Sequence, residues 1–127
     1  MEPDIVDARG IEVEIVLWRD TNNLFEAQLS LVDGNPLNLS DRDVTMTIVD
    51  RAGGTVRYTQ TNTPEQHTDA ANGITRFSVP SSTFDGLTGQ RAYTWKHHVV
   101  TTDRATGTPV RYFYGDVRVQ APPSEVA

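Results

Sequence analysis

The chain has 127 residues, no cysteine, and a formal net charge of −6 from 11 basic and 17 acidic side chains. That length holds one hydrophobic core, the missing cysteines exclude disulfides, thiolate zinc sites and thiol nucleophiles, and the acidic balance argues against a nucleic-acid surface built from clustered Lys and Arg. Met1-Glu2-Pro3-Asp4 lacks the basic start and apolar run of a signal peptide, and no stretch approaches the roughly 18 apolar residues of a membrane span. The expectation is a soluble acidic domain made in the cytoplasm, with no membrane partner.

In chain order, Met1 to Gly10 reads as a polar N-terminal arm, free unless a partner holds it. Ile11 to Trp18 predicts the first strand, with Ile11, Val13, Ile15 and Leu17 on one face and Glu12, Glu14, Val16 and Trp18 on the other. Asp20-Thr21-Asn22-Asn23 is a turn. In the second strand Phe25, Ala27, Leu29 and Leu31 alternate with Glu26, Gln28 and Ser30, the period of a sheet packed on one face. Asp33-Gly34-Asn35-Pro36 forces a turn, and Leu37 and Leu39 make a short apolar crossing. Val44, Met46 and Ile48 place the third strand's apolar face inward; Ala52-Gly53-Gly54 signals a hairpin, and Val56 to Gln60 returns antiparallel.

Thr61 to Asn72 is the longest polar stretch and predicts an exposed loop. Gly73 restarts a strand through Thr75, Phe77 and Val79, which Pro80 stops, and Ser81 to Leu87 predicts one short helical turn near 82–87. Arg91 to Thr102 is the longest strand, Asp103 to Gly107 a turn, and Val110 to Val119 the closing strand, ended by Ala121-Pro122-Pro123. About seven antiparallel strands at such spacing predict an all-β, immunoglobulin-like β-sandwich over residues 11–120, between the arm (1–10) and a C-terminal tail (121–127).

Chemistry-bearing constellations are thin. His97 and His98 are neighbours on a strand, so they point to opposite faces and do not converge on a metal; with His67 they are the chain's three histidines. Asp41, Asp43, Asp50, Asp69, Asp85, Asp103 and Asp116 mostly sit in turns, which Asp favours through hydrogen bonds to its own backbone, rather than in glycosidase-like pairs. Asp41-Arg42-Asp43 lacks the spaced oxygens and terminal Glu of a calcium loop. Neither catalytic residues nor a metal or other cofactor are expected. Tyr93, Trp95, Tyr112 and Tyr114 concentrate in the last hairpin: Tyr93 and Trp95 are read as core, and Tyr112 with Tyr114 share one face opposite Phe113.

The order of signals is more specific than a generic sandwich. The turn and crossing Asp33-Gly34-Asn35-Pro36-Leu37-Asn38-Leu39-Ser40 precede Val44 to Asp50 and Gly53-Gly54-Thr55-Val56. Ala70-Ala71-Asn72-Gly73-Ile74-Thr75-Arg76-Phe77, Leu87-Thr88-Gly89, Ala92-Tyr93-Thr94-Trp95 and the closing Val110 to Val119 follow. This succession, from Leu24 to Val119, resembles the small immunoglobulin-like structural domain of tailed phages, similar to the N-terminal domain of phage baseplate upper proteins and to small capsid decoration proteins. Asn38 and Ser40 stand where that crossing often reads Asp and Thr.

The resemblance implies a non-enzymatic virion protein, made in the host bacterial cytoplasm, that decorates the capsid by binding the major capsid protein in multiple copies. A tail or baseplate adaptor is the alternative location. A carbohydrate-binding module using Tyr112, Tyr114 and Trp18 is the alternative of another class. The expected partner contacts are Pro3, Ile5 and Val6 in the arm, Trp18 at the end of the first strand, and Glu65, Gln66 and His67 in the long loop.

Overall fold

The computed structural model describes residues 11–31, 34–51, 54–87 and 92–120. The arm with Pro3, Ile5 and Val6, the tail 121–127, Ala52, Gly53 and Arg91 lie outside the described residues. The strands are β1 (Ile11–Glu12), β2 (Ile15–Trp18), β3 (Asn23–Gln28), β4 (Arg42–Val49), β5 (Val56–Asn62), β6 (Ile74–Val79), β7 (Tyr93–Asp103) and β8 (Pro109–Gln120). Counting β1 and β2 as one broken strand gives the seven expected, and the short helical element is a 3-10 turn at Ser81–Phe84.

Among the described residues, one sheet runs β1-β8-β7-β4-β5, with β2 also on β8, and the other holds β3 and β6. A four-strand β8-β7-β4-β5 block facing a β3-β6 pair is the arrangement of an immunoglobulin-like sandwich with an added strand beside its third. One expectation changes: the first strand pairs parallel, not antiparallel, with the last, through Ile11↔Phe113 to Trp18↔Gln120. Alternation in a sequence reports which face is buried, and carries no information on the direction of the neighbour.

The core lies between the sheets. Val44, Met46 and Ile48 from β4, Trp95 and Val99 from β7, and Val117 and Val119 from β8 pack with Phe77 and Val79 of β6. Leu29, just past β3, and the crossing residues Leu37 and Leu39 are buried among them, and Phe25 meets Phe77 with ring centroids 5.8 Å apart. The half-buried Tyr93 packs against this cluster, so Tyr93 and Trp95 are core as expected.

The edge of the small sheet along β6 is closed by side chains. Inward-facing residues of β5 reach across: the Tyr58 hydroxyl donates to the Ser78 carbonyl (2.7 Å), and Ser78 N–H donates to Gln60 Oε1 (3.0 Å). Asn62 Nδ2 donates to both the Arg76 carbonyl (2.8 Å) and Thr75 Oγ1 (2.7 Å). These polar residues sit at positions where a core strand usually carries aliphatic ones, and they satisfy backbone groups that a neighbouring strand would otherwise pair.

The chain's two poles follow from this topology. One carries the β3–β4 connection, residues 63–73 and the turn between β7 and β8; the other carries the β2–β3 turn, the β4–β5 hairpin and the β6–β7 connection.

Candidate functional site

The loop expected over Thr61 to Asn72 is a built structure. Thr61 and Asn62 finish β5, and 3-10 turns cover Pro64–Gln66 and Ala70–Asn72. Gln66 Oε1 accepts from the Thr63 N–H (2.8 Å), which locks the first turn. His67 is half-buried rather than free: Nε2 and the Arg42 carbonyl are 2.8 Å apart, and Nδ1 and Thr75 Oγ1 3.0 Å. A carbonyl can only accept, so His67 donates through Nε2–H and Nδ1 accepts from the Thr75 hydroxyl. His67 therefore pins the loop to the start of β4. A polar stretch gives no sign of this, because the partners lie on β4 and β6, remote in sequence.

Glu65 and Gln66 remain exposed at that pole. Hydrogen bonds from the Glu65 backbone N–H and the Thr63 hydroxyl hold the Glu65 carboxyl below its usual range. Arg104 pairs with Asp43 (3.0 Å) and Arg42 with Asp103 (3.9 Å), so carboxylates and guanidiniums alternate there. Trp18 is 39% exposed, as expected, but stands at the other pole, with Asn23 Oδ1 accepting from its backbone N–H. The structure thus gathers Glu65, Gln66 and His67 and leaves Trp18 far from them.

The last hairpin departs from simple alternation. A β-bulge between Val99 and Val100 pairs Val99 with Phe113 and Val100 with Arg111, leaving Tyr112 as the extra residue. Tyr112 is 2% exposed, packed edge-on against Phe113 (5.5 Å, 81°), and its hydroxyl donates to the Ser30 carbonyl. Tyr114 faces out at 40%. The expected sharing of one face by Tyr112 and Tyr114 is therefore corrected, and a sugar platform of Tyr112, Tyr114 and Trp18 does not exist. Trp18 lies beside Gln120, six positions along β8 from Tyr114, or about 20 Å at the rise of a strand. The run Tyr112-Phe113-Tyr114-Gly115 held the available signal, since a glycine inside a strand marks a bulge or a close backbone approach.

His97 and His98 point to opposite faces, as expected. His97 is 3% exposed, and its Nε2–H donates to the Val13 carbonyl (2.7 Å) where the first strand breaks between β1 and β2. Its Nδ1 is buried without a partner, so a second proton there would be both buried and unpaired. Burial, opposed by the Val13 hydrogen bond, pulls His97 below the ordinary value of 6.5; burial and then Arg111 do the same to His98. The unfolded chain thus takes up these protons first on acidification. The associated stability is complete above about pH 6.5 and is lost as pH falls through the depressed folded values. Thermal midpoints are expected to fall between about pH 7.5 and pH 5, and His97→Gln to flatten that fall relative to the parent. A midpoint constant across this range would contradict the assignment.

Among the described residues no three His, Cys, Asp or Glu side chains are grouped to hold a metal, and no helix is long and apolar enough to cross a membrane.

The geometry defines the class as an immunoglobulin-like β-sandwich. No family model and no curated protein matches the chain. Among solved structures it is similar to a chain in the crystal structure of ICOS in complex with ICOS-L and an anti ICOS-L VNAR domain, with 12% identity over 88% of this chain and a TM-score of 0.40. The match covers 55% of that chain, so the present chain spans about half its length.

Proposed function

We propose that this chain is a non-enzymatic structural protein of a tailed-phage virion, binding the assembled capsid as a decoration protein in many copies. The observation that carries this reading is an exposed, braced loop at one pole, near the point where the first described strand begins. Glu65 and Gln66 are exposed there on a loop braced by His67, and the chain enters the sheet at Ile11, opposite Phe113 in the half of β8 nearest that pole. The arm that carries Pro3, Ile5 and Val6 is joined to the fold at that point. A loop held in place by internal hydrogen bonds has less to order on binding, which suits repeated attachment to a lattice. The ordered turns that carry the phage resemblance also support it. A tail or baseplate adaptor would use the same pole, and differs in which virion protein it touches.

The test is quantitative mass spectrometry of purified particles. A fixed ratio to the major capsid protein is the expected result; a fixed ratio to a tail protein moves the chain to the adaptor role. Absence from particles overturns the reading. Incorporation is expected to drop in a Glu65→Lys, Gln66→Lys double variant and to persist in Trp18→Ala, whose side chain sits at the far pole.

A further inference from the structure

We propose that the outer face of the large sheet binds a neutral saccharide of one or two rings, stacked on Tyr114. This goes beyond the virion reading and uses the outer face of the large sheet in place of the loop that carries Glu65 and Gln66. It also differs from the three-aromatic platform, since Tyr112 is buried and Trp18 is about 20 Å away.

The bulge creates the site. By turning Tyr112 inward, it brings Arg111 into the outward position next to Tyr114 that unbroken alternation would have given to residue 112. His98 lies directly across from Tyr114 on β7, and Glu12 directly across on β1. Lys96 and Asp116, the next pair along β7 and β8, are ion-paired with one another. Together these groups line an open depression of about 560 Å³, within the usual range for small-ligand sites.

Charge selects the ligand class. Glu12 and Asp116 balance Lys96 and Arg111, and His98 is neutral at pH 7 because burial and Arg111 disfavour its charged form. The floor has no net charge to attract an ion, yet it offers carboxylate acceptors, guanidinium donors and an imidazole that can do both. A half-exposed aromatic ring surrounded by mixed donors and acceptors suits a ligand with one apolar C–H face and a rim of hydroxyls. A pyranose has that form. A phosphate or sulfate would meet Glu12 and Asp116, and an apolar ligand would leave the polar rim unpaired.

The experiment uses the full chain on a glycan array, followed by amide-resolved NMR titration with glucose, galactose, N-acetylglucosamine and maltose to about 50 mM, which reaches millimolar dissociation constants. Saturable shifts at Glu12, His98, Arg111 and Tyr114 are expected with at least one probe. Tyr114→Ala is expected to weaken binding about tenfold at an unchanged melting temperature, and Tyr114→Phe to retain it. Should Tyr114→Ala fail to fold, Arg111→Ala on the same face is read in its place. Absence of any array signal together with absence of saturable shifts overturns the proposal, as does undiminished binding by the alanine variant. Neither result bears on particle incorporation.

Discussion

Replacing Trp95 with alanine is expected to destabilise the fold by about 3–5 kcal/mol, the range for removing a large buried aromatic. The indole is 3% exposed, lies 5.6 Å from Phe84 at an interplanar angle of 26°, and is covered by the Arg57 guanidinium 5.0 Å from its centroid. It therefore joins β7 to the β6–β7 connection through Phe84 and to β5 through Arg57. A small domain has roughly 5–15 kcal/mol of net stability, so this loss takes a large share of it. Urea denaturation reads the effect as a midpoint shift above about 1 M, given slopes of about 1–3 kcal/mol/M. Trp18→Ala is the control, since its ring is 39% exposed and its loss is expected to cost under about 1 kcal/mol. Equal shifts for the two variants would contradict the placement of Trp95.

Gly115→Ala is expected to detach the first strand. A Cβ at position 115 would stand 2.4 Å from the Val13 carbonyl oxygen and 3.1 Å from its carbon, both backbone atoms that cannot swing away. The φ of +148° adds strain for any other residue. Overpacking and strain together come to about 2–6 kcal/mol unless Val13 lifts off. Lifting breaks the bond from the Val13 N–H to the Tyr114 carbonyl (2.8 Å) and the one from His97. Hydrogen exchange should then accelerate at Val13 and along β2, and the pH dependence assigned to His97 should shrink as the ring gains access to water. Gly107→Ala separates the two causes, because its φ of +72° is strained but nothing lies within 4 Å. Unchanged protection in Gly115→Ala would remove the close approach from the account.

The inward faces were legible because their apolar residues recur every second position. Val44, Met46 and Ile48, or Phe77 and Val79, need only the strand period to be placed, and Leu37 and Leu39 are buried where a crossing between sheets was expected. What escaped depends on partners distant in the chain. Tyr58, Gln60 and Asn62 face inward because β6 has unpaired backbone groups there, which no local pattern reveals. The break at Val13 coincides with the close approach of Gly115 and the hydrogen bond from His97, neither of which local alternation reveals. At the candidate sites, the exposure of Trp18, Glu65 and Gln66 was anticipated, whereas the bracing role of His67 was not. The neighbourhood of Tyr114 was hidden by the single extra residue at Tyr112, which reverses the phase of every position before it.

The parallel pairing of the first and last strands also sets how the domain carries load. Ile11 and Gln120 lie toward opposite poles on strands that run side by side in the same direction. Tension applied between them pulls β2 and β8 past one another, so the bonds along Ile15↔Val117 to Trp18↔Gln120 are sheared together instead of parting one at a time. An antiparallel pair drawn apart from one shared end would open like a zip. The sandwich is thus a link that resists stretching along its long axis.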